Sequence, residues 1–426
     1  MTLIAFLLAL HARSPDELAT LIDSSVHALQ PKLLSTRRQL HEHPELSNQE
    51  EQTSALVAAR LEALGVEEVQ RGIARHGVTG VIRGQLPGGM IALRADLDAL
   101  PVTEQSGLPF ASKVKATYRG QEVGVMHACG HDVHTTVLLG TAEVLMSLRD
   151  HLAGAVLLVF QPAEEGAPPG EEGGAKLMLK EGLFDRYHVK AAFALHCFPD
   201  LDVGNIAYTS GGSFAGADRF RIAIHGKQTH AAYPWDGVDP VVTAAQAILA
   251  LQTIHSRQVD TRDPFVLSVG MVNGGTRWNI IPEQVLLEGT VRTLSPAVQS
   301  DVEQRIRRTL DGVTAAAGAS YEMLEYEAAA PVTVNEPVLT EQMARALQAR
   351  LGADHVHAMP ASMGSEDFGY FAERVPGFYF RLGVRRPGEQ HAAALHTPGF
   401  FADEQCLTVG VTAMATVAMA GLAWVH

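Results

Sequence analysis

The sequence predicts an α/β fold: a mostly parallel sheet flanked by helices, with a smaller domain inserted into it. Short apolar runs of strand length alternate with helical patterns, the pattern changes near residue 211, and the alternation resumes near residue 330. At 426 residues the chain is too long for one ordinary hydrophobic core, so two domains are expected.

The first predicted elements are two helices that open with capping boxes. Ser-Pro-Asp-Glu at residues 14–17 places proline at the first helical position, and Ser-Asn-Gln-Glu at residues 47–50 opens a second helix. Gly65 would end that helix, because glycine readily adopts the left-handed conformation found at helix C-termini.

Buried strands and helices then alternate along the chain. Strands are predicted at residues 90–96, 155–162 and 191–196, and helices at residues 134–150 and 173–184. This alternation predicts a mostly parallel sheet that is covered on both faces.

The middle of the chain predicts a separate domain. Its order is strand, helix, strand, strand, helix, strand, at residues 219–226, 238–258, 265–275, 284–293, 296–318 and 321–329. This is the order of a ferredoxin-like α+β unit. We therefore predict a domain at residues 211–329, inserted between two parts of a larger domain at residues 1–210 and 330–426.

Two apolar segments need separate explanations. Residues 407–424 carry no charge and nearly reach the ~20 residues of a membrane span, but their many small residues favour a helix buried against a sheet. Residues 2–10 resemble the apolar core of a signal peptide without the basic residues that precede it. The protein is therefore expected in the cytoplasm, or in the periplasm or outside the cell if residues 1–12 are a truncated export signal.

Charge and cysteine content exclude several functions. A net charge of −14, without a basic run or a phosphate-binding loop, argues against nucleic-acid binding. The three cysteines are too few, and odd in number, for a disulfide framework. We expect Cys197 and Cys406 in the core, whereas Cys129 lies among histidines and suits a thiolate ligand. We expect neither nucleic acid nor a membrane as a partner.

Polar residues follow the predicted strands at the points where these strands end. Acids follow two strands, a histidine ends a third, and Cys-Gly-His precedes a helix; these residues are Asp96, Asp98, Glu164, Glu165, His196, Cys129 and His131. Because sites in open α/β sheets form beyond the carboxyl ends of the strands, we expect these side chains to converge at one edge.

This set of residue types predicts a metal site. A cysteine, histidines and carboxylates suit zinc first, with manganese or cobalt as substitutes. The glycine between Cys129 and His131 lets both side chains turn toward one point. Glu164 and Glu165 would point in different directions on extended backbone, so that one binds metal while the other acts as a general base.

Seven segments, taken in order, resemble the hippurate hydrolase and indoleacetyl-amino-acid hydrolase branch of the aminoacylase/carboxypeptidase-type dinuclear metallohydrolases. They are RADLDALP, MHACGHD, QPAEE, GKQTHAAYP, NIIPEQVLLEGTVRT, MGSEDFGYF and LHTPGFF, and the resemblance covers the chain from about residue 34 to residue 418. The resemblance implies a zinc-peptidase-like catalytic domain, an inserted lid and dimerisation domain, two divalent metal ions, and a homo-dimer or higher homo-oligomer.

The resemblance also implies roles for individual residues. The metal ligands would be Cys129, His131, Glu165, His196 and His396, with Glu164 as general base and Asp98 in an orienting role. His230 would reach the substrate carbonyl, often across a dimer, while Asn279 and Arg292 would lie near the substrate carboxylate. Asp96 stands where broader relatives carry a histidine ligand, so their ligand set does not transfer to it.

Other interpretations of these residues stay open. MHACGHD would fit a structural zinc site. Such sites usually have four cysteine and histidine ligands, and the two nearby glutamates argue against one here. His127 and His134 would support ligands or lie on the helix surface. Glu366 and Asp367 would either stabilise the N-terminus of a helix by interacting with its dipole, or lie next to the metals.

The expected function is hydrolysis of the amide bond of N-acyl amino acids. Hippurate-like, indoleacetyl or aromatic N-acyl-phenylalanine substrates, such as ochratoxin, are implied by the resemblance. Four aromatic residues near the motifs of the inserted domain fit an aromatic substrate or ordinary packing: Phe214, Tyr233, Trp235 and Trp278. The alternative enzyme is a metallo-dipeptidase or carboxypeptidase. The alternative of another class is a non-catalytic metal-binding scaffold, against which the spare carboxylate of Glu164 argues.

Overall fold

The computed structural model describes residues 15–426, in two compact units. The first unit contains the described residues up to Gly211 together with Asn335–Met359 and Tyr370–His426. The second contains Gly212–Val334 and Pro360–Gly369, so residues 360–369 pack with the inserted segment. The export-signal interpretation of residues 1–12, and Ser14 of the first capping box, lie outside the described residues.

Helices and strands are numbered along the chain. Up to residue 211 they are α1 (Pro15–Glu42), α2 (Glu51–Ala63), β1 (Glu67–Ile73), β2 (Gly77–Arg83), β3 (Leu86–Asp96), β4 (Lys115–Tyr118), β5 (Gln121–Gly124), α3 (His131–Ser147), β6 (Ala153–Gln161), α4 (Gly174–Lys180), α5 (Leu183–Tyr187), β7 (Ala191–Asp202) and β8 (Ile206–Tyr208). The inserted segment contains β9 (Gly211–Phe214), β10 (Gly216–His225), β11 (Thr229–His230), α6 (Pro240–Gln258), β12 (Phe265–Gly274), β13 (Ile280–Ile281), β14 (Gln284–Thr293), α7 (Pro296–Ala317) and β15 (Ser320–Ala330). The last elements are β16 (Thr333–Asn335), α8 (Pro337–Leu351), β17 (Val356–Ala358), α9 (Gly369–Arg374), β18 (Gly377–Arg385) and α10 (Cys406–Trp424).

The first unit is built on a mostly parallel sheet, which confirms the predicted fold class. Its strands lie in the order β1-β2-β6-β3-β7-β18-β16, and the pairs from β6 to β16 are parallel. β1 and β2 are antiparallel additions at one edge, β8 pairs with β18 and β17, and β4–β5 is a separate hairpin. The parallel strands therefore end at a common carboxyl edge.

Helix α10 is buried, as the small apolar residues of its sequence predict. It is long and apolar enough to cross a membrane, but most of it is buried against α1, α3, α8 and the sheet. Two glycines permit this close packing: a Cβ atom at Gly421 would lie 2.6 Å from the Phe193 ring, and one at Gly410 would lie 2.8 Å from Val137. Each fully buried large apolar side chain in such a core contributes roughly 1.5–3 kcal/mol.

The predicted capping box at residues 47–50 is wrong. The first backbone N–H groups of α2 that need a partner, those of Gln52 and Thr53, donate to the Glu45 carboxylate at 3.0 and 2.8 Å. The serine and glutamate of the predicted box make hydrogen bonds to other parts of the unit instead. Tertiary contacts have therefore overridden a local sequence pattern.

Glycines in the left-handed conformation end or divide two predicted helices. Gly65 has a φ of 74° and donates to the carbonyl of Glu62, which confirms the predicted end of α2. Gly182 has a φ of 82° and divides the helix predicted at residues 173–184 into α4 and α5.

The second unit has the predicted ferredoxin-like order. Its antiparallel sheet runs β12-β14-β10-β15, and α6 and α7 pack against it. Leu251 of α6, Ile306 of α7 and Phe220 of β10 belong to its core. Asp239 accepts hydrogen bonds at the start of α6 and Ser295 does so at the start of α7, and each is followed by a proline.

Candidate metal centre

The sheet of the first unit brings distant segments to one edge. In the parallel pairing of β3 with β6, Asp96 lies beside Gln161, and each is the last residue of its strand. β7 carries His196, and α3 begins at His131. The loops that follow these strands therefore meet at the carboxyl edge, where the sequence predicts a site.

The five predicted metal ligands lie in one cluster. The Cys129 Sγ atom is 3.3 Å from His196 Nε2 and 3.2 Å from His396 Nε2. Glu165 Oε1 is 3.2 Å from His396 Nε2 and 3.9 Å from His131 Nε2. The ligand atoms form two groups that share Cys129, one with His131 and His196 and one with Glu165 and His396; within each group all atoms lie within 4.8 Å of one another.

Glu164 lies beside the cluster, and Asp98 holds it there. Glu164 Oε2 is 3.9 Å from His131 Nε2. The Asp98 carboxylate accepts the backbone N–H groups of Glu164 and Glu165 at 3.1 and 3.0 Å and the hydroxyl of Ser47 at 2.7 Å. Asp98 thus fixes the backbone from which both glutamate side chains leave.

The histidine rings are oriented so that Nε2 faces the cluster. His131 Nδ1 is 2.8 Å from the carbonyl of Asp98, and His196 Nδ1 is 2.7 Å from the carbonyl of Cys197. A carbonyl oxygen accepts hydrogen bonds, so each Nδ1 carries a proton and Nε2 is the ring atom left to bind a cation.

Two buried atoms in the cluster also lack hydrogen-bond partners. Within residues 15–426, His131 Nε2 and Glu165 Oε1 are buried and make no hydrogen bond of good geometry, although Glu165 Oε1 lies within ion-pair distance of His396 Nε2 at 3.2 Å. An unsatisfied buried polar atom costs about 1–3 kcal/mol, and cation binding would remove that cost for both. The thiolate, imidazole and carboxylate donors also match the ligand types that zinc prefers. The residues present therefore fit divalent cations.

Three residues in or next to this cluster have a positive φ. Gly130, between Cys129 and His131, has a φ of 88°, and a Cβ atom there would lie 2.9 Å from Cys197 Sγ. Ala163 and His396 have φ values of 53° and 62°, which are uncommon for residues with a Cβ atom. Strained residues of this kind persist at functional sites where surrounding contacts hold them.

Protonation of the cluster responds to burial and to the local carboxylates. Burial and the adjacent glutamates raise the pKa of the Cys129 thiol well above its usual range, and burial lowers the pKa of His196 well below its own. Burial opposes a charge on His131, but the nearby aspartates outweigh it and raise the pKa of His131 to about 10. Cation binding must therefore release protons from Cys129 and His131, whereas His196 is already neutral.

Asp96 and His134 form a supporting layer behind the cluster. His134 Nδ1 lies 2.6 Å from Asp96 Oδ1, and His134 Nε2 accepts the N–H of Cys197 at 2.8 Å, so both ring nitrogens are used. Arg94 donates to the other Asp96 oxygen at 2.8 Å. His127 is buried rather than on a helix surface, and burial lowers its pKa to about 4.

A buried ion-pair network around Asp132 was not predicted from the sequence. The Asp132 carboxylate accepts hydrogen bonds from Arg37 Nε and His41 Nδ1, both at 2.8 Å, and His41 Nε2 lies 3.1 Å from Glu104. The network fixes the start of α3 next to His131. Arg37 and His41 lie four residues apart on one helix face, but nothing in that spacing points to Asp132.

The predicted substrate-binding residues lie at two places in the second unit. His230 pairs with Ile280 in the β11–β13 ladder, next to Asn279, whose carbonyl accepts the N–H of Ala231 at 3.1 Å. Arg292 lies near the other end of β14. The structure therefore brings His230 and Asn279 together within this unit and leaves Arg292 apart from them.

Two other predicted features of the second unit can be located. Glu366 accepts the N–H of Phe368 at 2.9 Å, a contact typical of a helix N-terminus, just before α9. Among the aromatic residues, Phe214 is buried, whereas Tyr233, Trp235 and Trp278 are exposed.

The chain is similar to known hydrolases over almost its whole length. The family described as peptidase family M20/M25/M40 matches residues 92–420. N-acetylcysteine deacetylase of Bacillus subtilis is 40% identical over 392 residues, covering 92% of this chain and 97% of that protein. Thermostable carboxypeptidase 2 of Saccharolobus solfataricus is 38% identical over 404 residues, covering 95% and 98%. IAA-amino acid hydrolase ILR1-like 2 of Arabidopsis thaliana is 38% identical over 392 residues, covering 91% and 84%.

Solved structures agree with this similarity. A dinuclear metal-binding peptidase of the M20 family from Bacillus subtilis matches with a TM-score of 0.79 at 37% identity. The match covers 93% of this chain and 99% of that one. Sequence and fold are therefore similar over both units.

Proposed function

The chain belongs to peptidase family M20/M25/M40 and is a metal-dependent amide hydrolase; on that premise we propose that it hydrolyses N-acyl amino acids to a carboxylic acid and a free amino acid. A non-catalytic scaffold does not fit this family assignment. The observation that carries the proposal is the position of Glu164, a carboxylate beside a cluster that already offers five other ligand side chains.

Glu164 would transfer the proton that the reaction requires. Two divalent cations, zinc in our proposal and otherwise manganese or cobalt, would polarise the amide carbonyl and lower the pKa of a water molecule when held by the predicted ligands. Glu164 accepts a proton from the attacking water, whose hydroxyl adds to the carbonyl carbon. As the C–N bond breaks, Glu164 donates that proton to the departing amine nitrogen. Asp98 keeps the backbone of Glu164 and Glu165 in place during both transfers.

The separation of His230 from Arg292 supports a homo-dimer or higher homo-oligomer. Gln284 and Arg292 lie near opposite ends of β14, roughly 25 Å apart at about 3.3 Å per residue. His230 lies beyond Gln284, on the continuing β11–β13 ladder. One small substrate cannot contact both residues of the same second unit. We therefore propose that the two ends of this unit serve the sites of two copies of the chain, with His230 and Asn279 at one end and Arg292 at the other.

An aromatic acyl group is our proposed preference. Tyr233 and Trp278 flank His230 and Asn279, and the rings of His230 and Tyr233 are 5.3 Å apart. Trp278 is 89% exposed, so its ring has surface available for a ligand. The similarity to an IAA-amino acid hydrolase supports this preference, whereas the similarity to an N-acetylcysteine deacetylase supports a small acyl group.

A mass-spectrometric substrate panel tests the proposal. The panel contains N-benzoyl-glycine, indoleacetyl-amino acids, ochratoxin, N-acetyl-cysteine and unblocked dipeptides, each with and without a chelator. We expect cleavage of the N-acyl compounds, led by the aromatic ones, and its loss with chelator. Cleavage of unblocked dipeptides alone would overturn the proposal in favour of a dipeptidase or carboxypeptidase, the alternative that the thermostable carboxypeptidase relative supports. Metal analysis of the purified protein identifies the cation.

A further inference from the structure

The segment at residues 47–50 contacts the β6–α4 loop (residues 162–173), which carries Glu164 and Glu165, near both ends of that loop. Near its start, Glu50 Oε1 accepts the backbone N–H of Ala163 at 2.8 Å. Near its end, Asn48 Nδ2 donates to Glu171 Oε2 at 2.9 Å and to the carbonyl of Glu172 at 3.2 Å. The 47–50 segment therefore holds the loop in place near both of its ends.

Glu50 accepts hydrogen bonds from two residues whose backbones have a positive φ. Its Oε1 also accepts the N–H of Asn48 at 3.0 Å. Asn48 and Ala163 have φ values of 61° and 53°, so both adopt the left-handed conformation. Ala163 immediately precedes Glu164. Its left-handed backbone sets the direction in which the chain enters the pair of glutamates.

Helix capping does not account for the buried position of Glu50. The side chain of Glu50 makes no capping hydrogen bond, because Glu45 already accepts the N–H groups at the start of α2. Glu50 is fully buried, and its Oε2 has no hydrogen-bond partner among the described residues. Burying a carboxyl group with an unpaired oxygen lowers stability, so a gain in stability does not explain its contact with Ala163 either.

We infer that Glu50 is a positioning residue for amide hydrolysis: it holds Ala163 in the left-handed conformation, so that Glu164 and Glu165 leave the backbone in the directions that catalysis and cation binding require. The inference rests on the proposed function, in which Glu165 is a ligand and Glu164 transfers protons. Glu50 itself touches neither the substrate nor the cation.

Substitution of Glu50 tests the inference with two independent readouts, kcat and cation affinity. Glu50→Ala removes the acceptor, and we expect kcat to fall about 100-fold with little change in KM, as for other small misplacements of catalytic groups. Cation affinity in a chelator titration should fall about 10- to 100-fold, because Glu165 moves. Glu50→Gln keeps an acceptor oxygen and the packing, so it should retain most of both.

Two further variants separate positioning from stability. Glu45→Ala removes the cap of α2 and is the matched control; it should lower the unfolding temperature while kcat and cation affinity stay unchanged. In the Glu50→Ala background, Ala163→Gly should recover part of the lost cation affinity, because glycine adopts positive φ without a Cβ clash.

Each outcome decides the inference. If Glu50→Ala lowers only the unfolding temperature, as Glu45→Ala does, Glu50 is merely structural and the inference is overturned. Absence of any recovery in Glu50→Ala/Ala163→Gly would also overturn it. If the wild-type protein binds cations but cleaves no N-acyl amino acid, the proposed function fails. The cation-affinity comparison still decides the role of Glu50 in that case.

Discussion

The two units of the molecule bury charge in different ways. The first unit buries charged side chains around one edge of its sheet, including Arg37, Asp96, Asp98 and Asp132. In the described residues of the second unit, the buried charged side chains are Asp218 and Glu366, and the core between helices and sheet is apolar. Burying charge is costly unless ion pairs, hydrogen bonds or cations compensate it. We interpret this contrast as a division of labour, in which the first unit carries the catalytic groups and the second contributes contacts to the substrate.

The largest expected effect is the loss of catalysis in Glu164→Gln. Without a proton-accepting carboxylate, kcat should fall about 10²- to 10⁴-fold. Cation content, measured by mass spectrometry, should stay at the wild-type level. The control is Glu172→Gln, an exposed glutamate of the same loop that pairs with Lys180 and should keep kcat within about twofold. Equal losses in both variants would break the contrast, because any charge in the loop would then matter.

The next effect concerns the stability of the first unit. Arg37→Met leaves Asp132 buried without its arginine partner, and breaking a buried ion pair costs about 3–5 kcal/mol. The neighbouring Arg38 is half exposed and pairs with Glu404, so Arg38→Met should cost at most about 1 kcal/mol. Urea unfolding of both variants measures the difference. Similar losses of unfolding free energy in the two variants would show that the buried Asp132 network contributes no more to stability than an exposed ion pair.

In the second unit, His230→Ala should lower kcat without changing cation content. If His230 contacts the substrate carbonyl as proposed, its loss removes a group that stabilises the developing oxyanion, which costs about 10²- to 10³-fold in kcat. His255→Ala, on the exposed surface of α6, is the control and should be silent. Mixing His230→Ala chains with Glu164→Gln chains tests whether His230 of one copy completes the site of another copy. If His230 serves a second copy, subunit exchange should restore activity to about a quarter of the wild-type level; no recovery after exchange would place its action within its own chain.

The smallest expected effect is a pH dependence of the second unit. Burial raises the pKa of Asp218, against the hydrogen bonds from Gln299 and Tyr326. Between the unfolded pKa of Asp218, about 3.9, and its higher folded pKa, the folded state binds more protons than the unfolded state. The free energy of unfolding therefore decreases as pH rises between these two pKa values. Asp218→Asn removes this decrease, so its stability relative to wild type should grow from about pH 4 to neutral pH. Denaturant titrations across this range measure it, and a constant difference would contradict the assignment.

The ligand cluster could be predicted from the sequence, but its support could not. Cys129, His131 and His196 stand next to the ends of predicted strands or at the start of a helix, and a parallel sheet brings such positions together. Arg37 and His41 look like ordinary residues of a surface helix. Their importance arises from contact with Asp132, more than 90 positions away in the chain.

Local patterns failed where tertiary contacts competed with them. The sequence at residues 47–50 matches a capping box, but Ser47 donates to Asp98 and Glu50 accepts from Ala163, and these buried contacts outweigh the local cap. The contacts join segments whose proximity depends on the assembled sheet. A single-sequence pattern contains no information about that proximity.

Catalysis in this account depends on five side chains that hold cations beside Glu164. Anomalous X-ray diffraction at the zinc absorption edge, on crystals of the zinc-loaded protein, tests it most directly. We predict anomalous peaks bounded by Cys129, His131, Glu165, His196 and His396, with Glu164 next to them. Peaks elsewhere, such as between Asp96 and His134, with none beside Cys129, would contradict the claim.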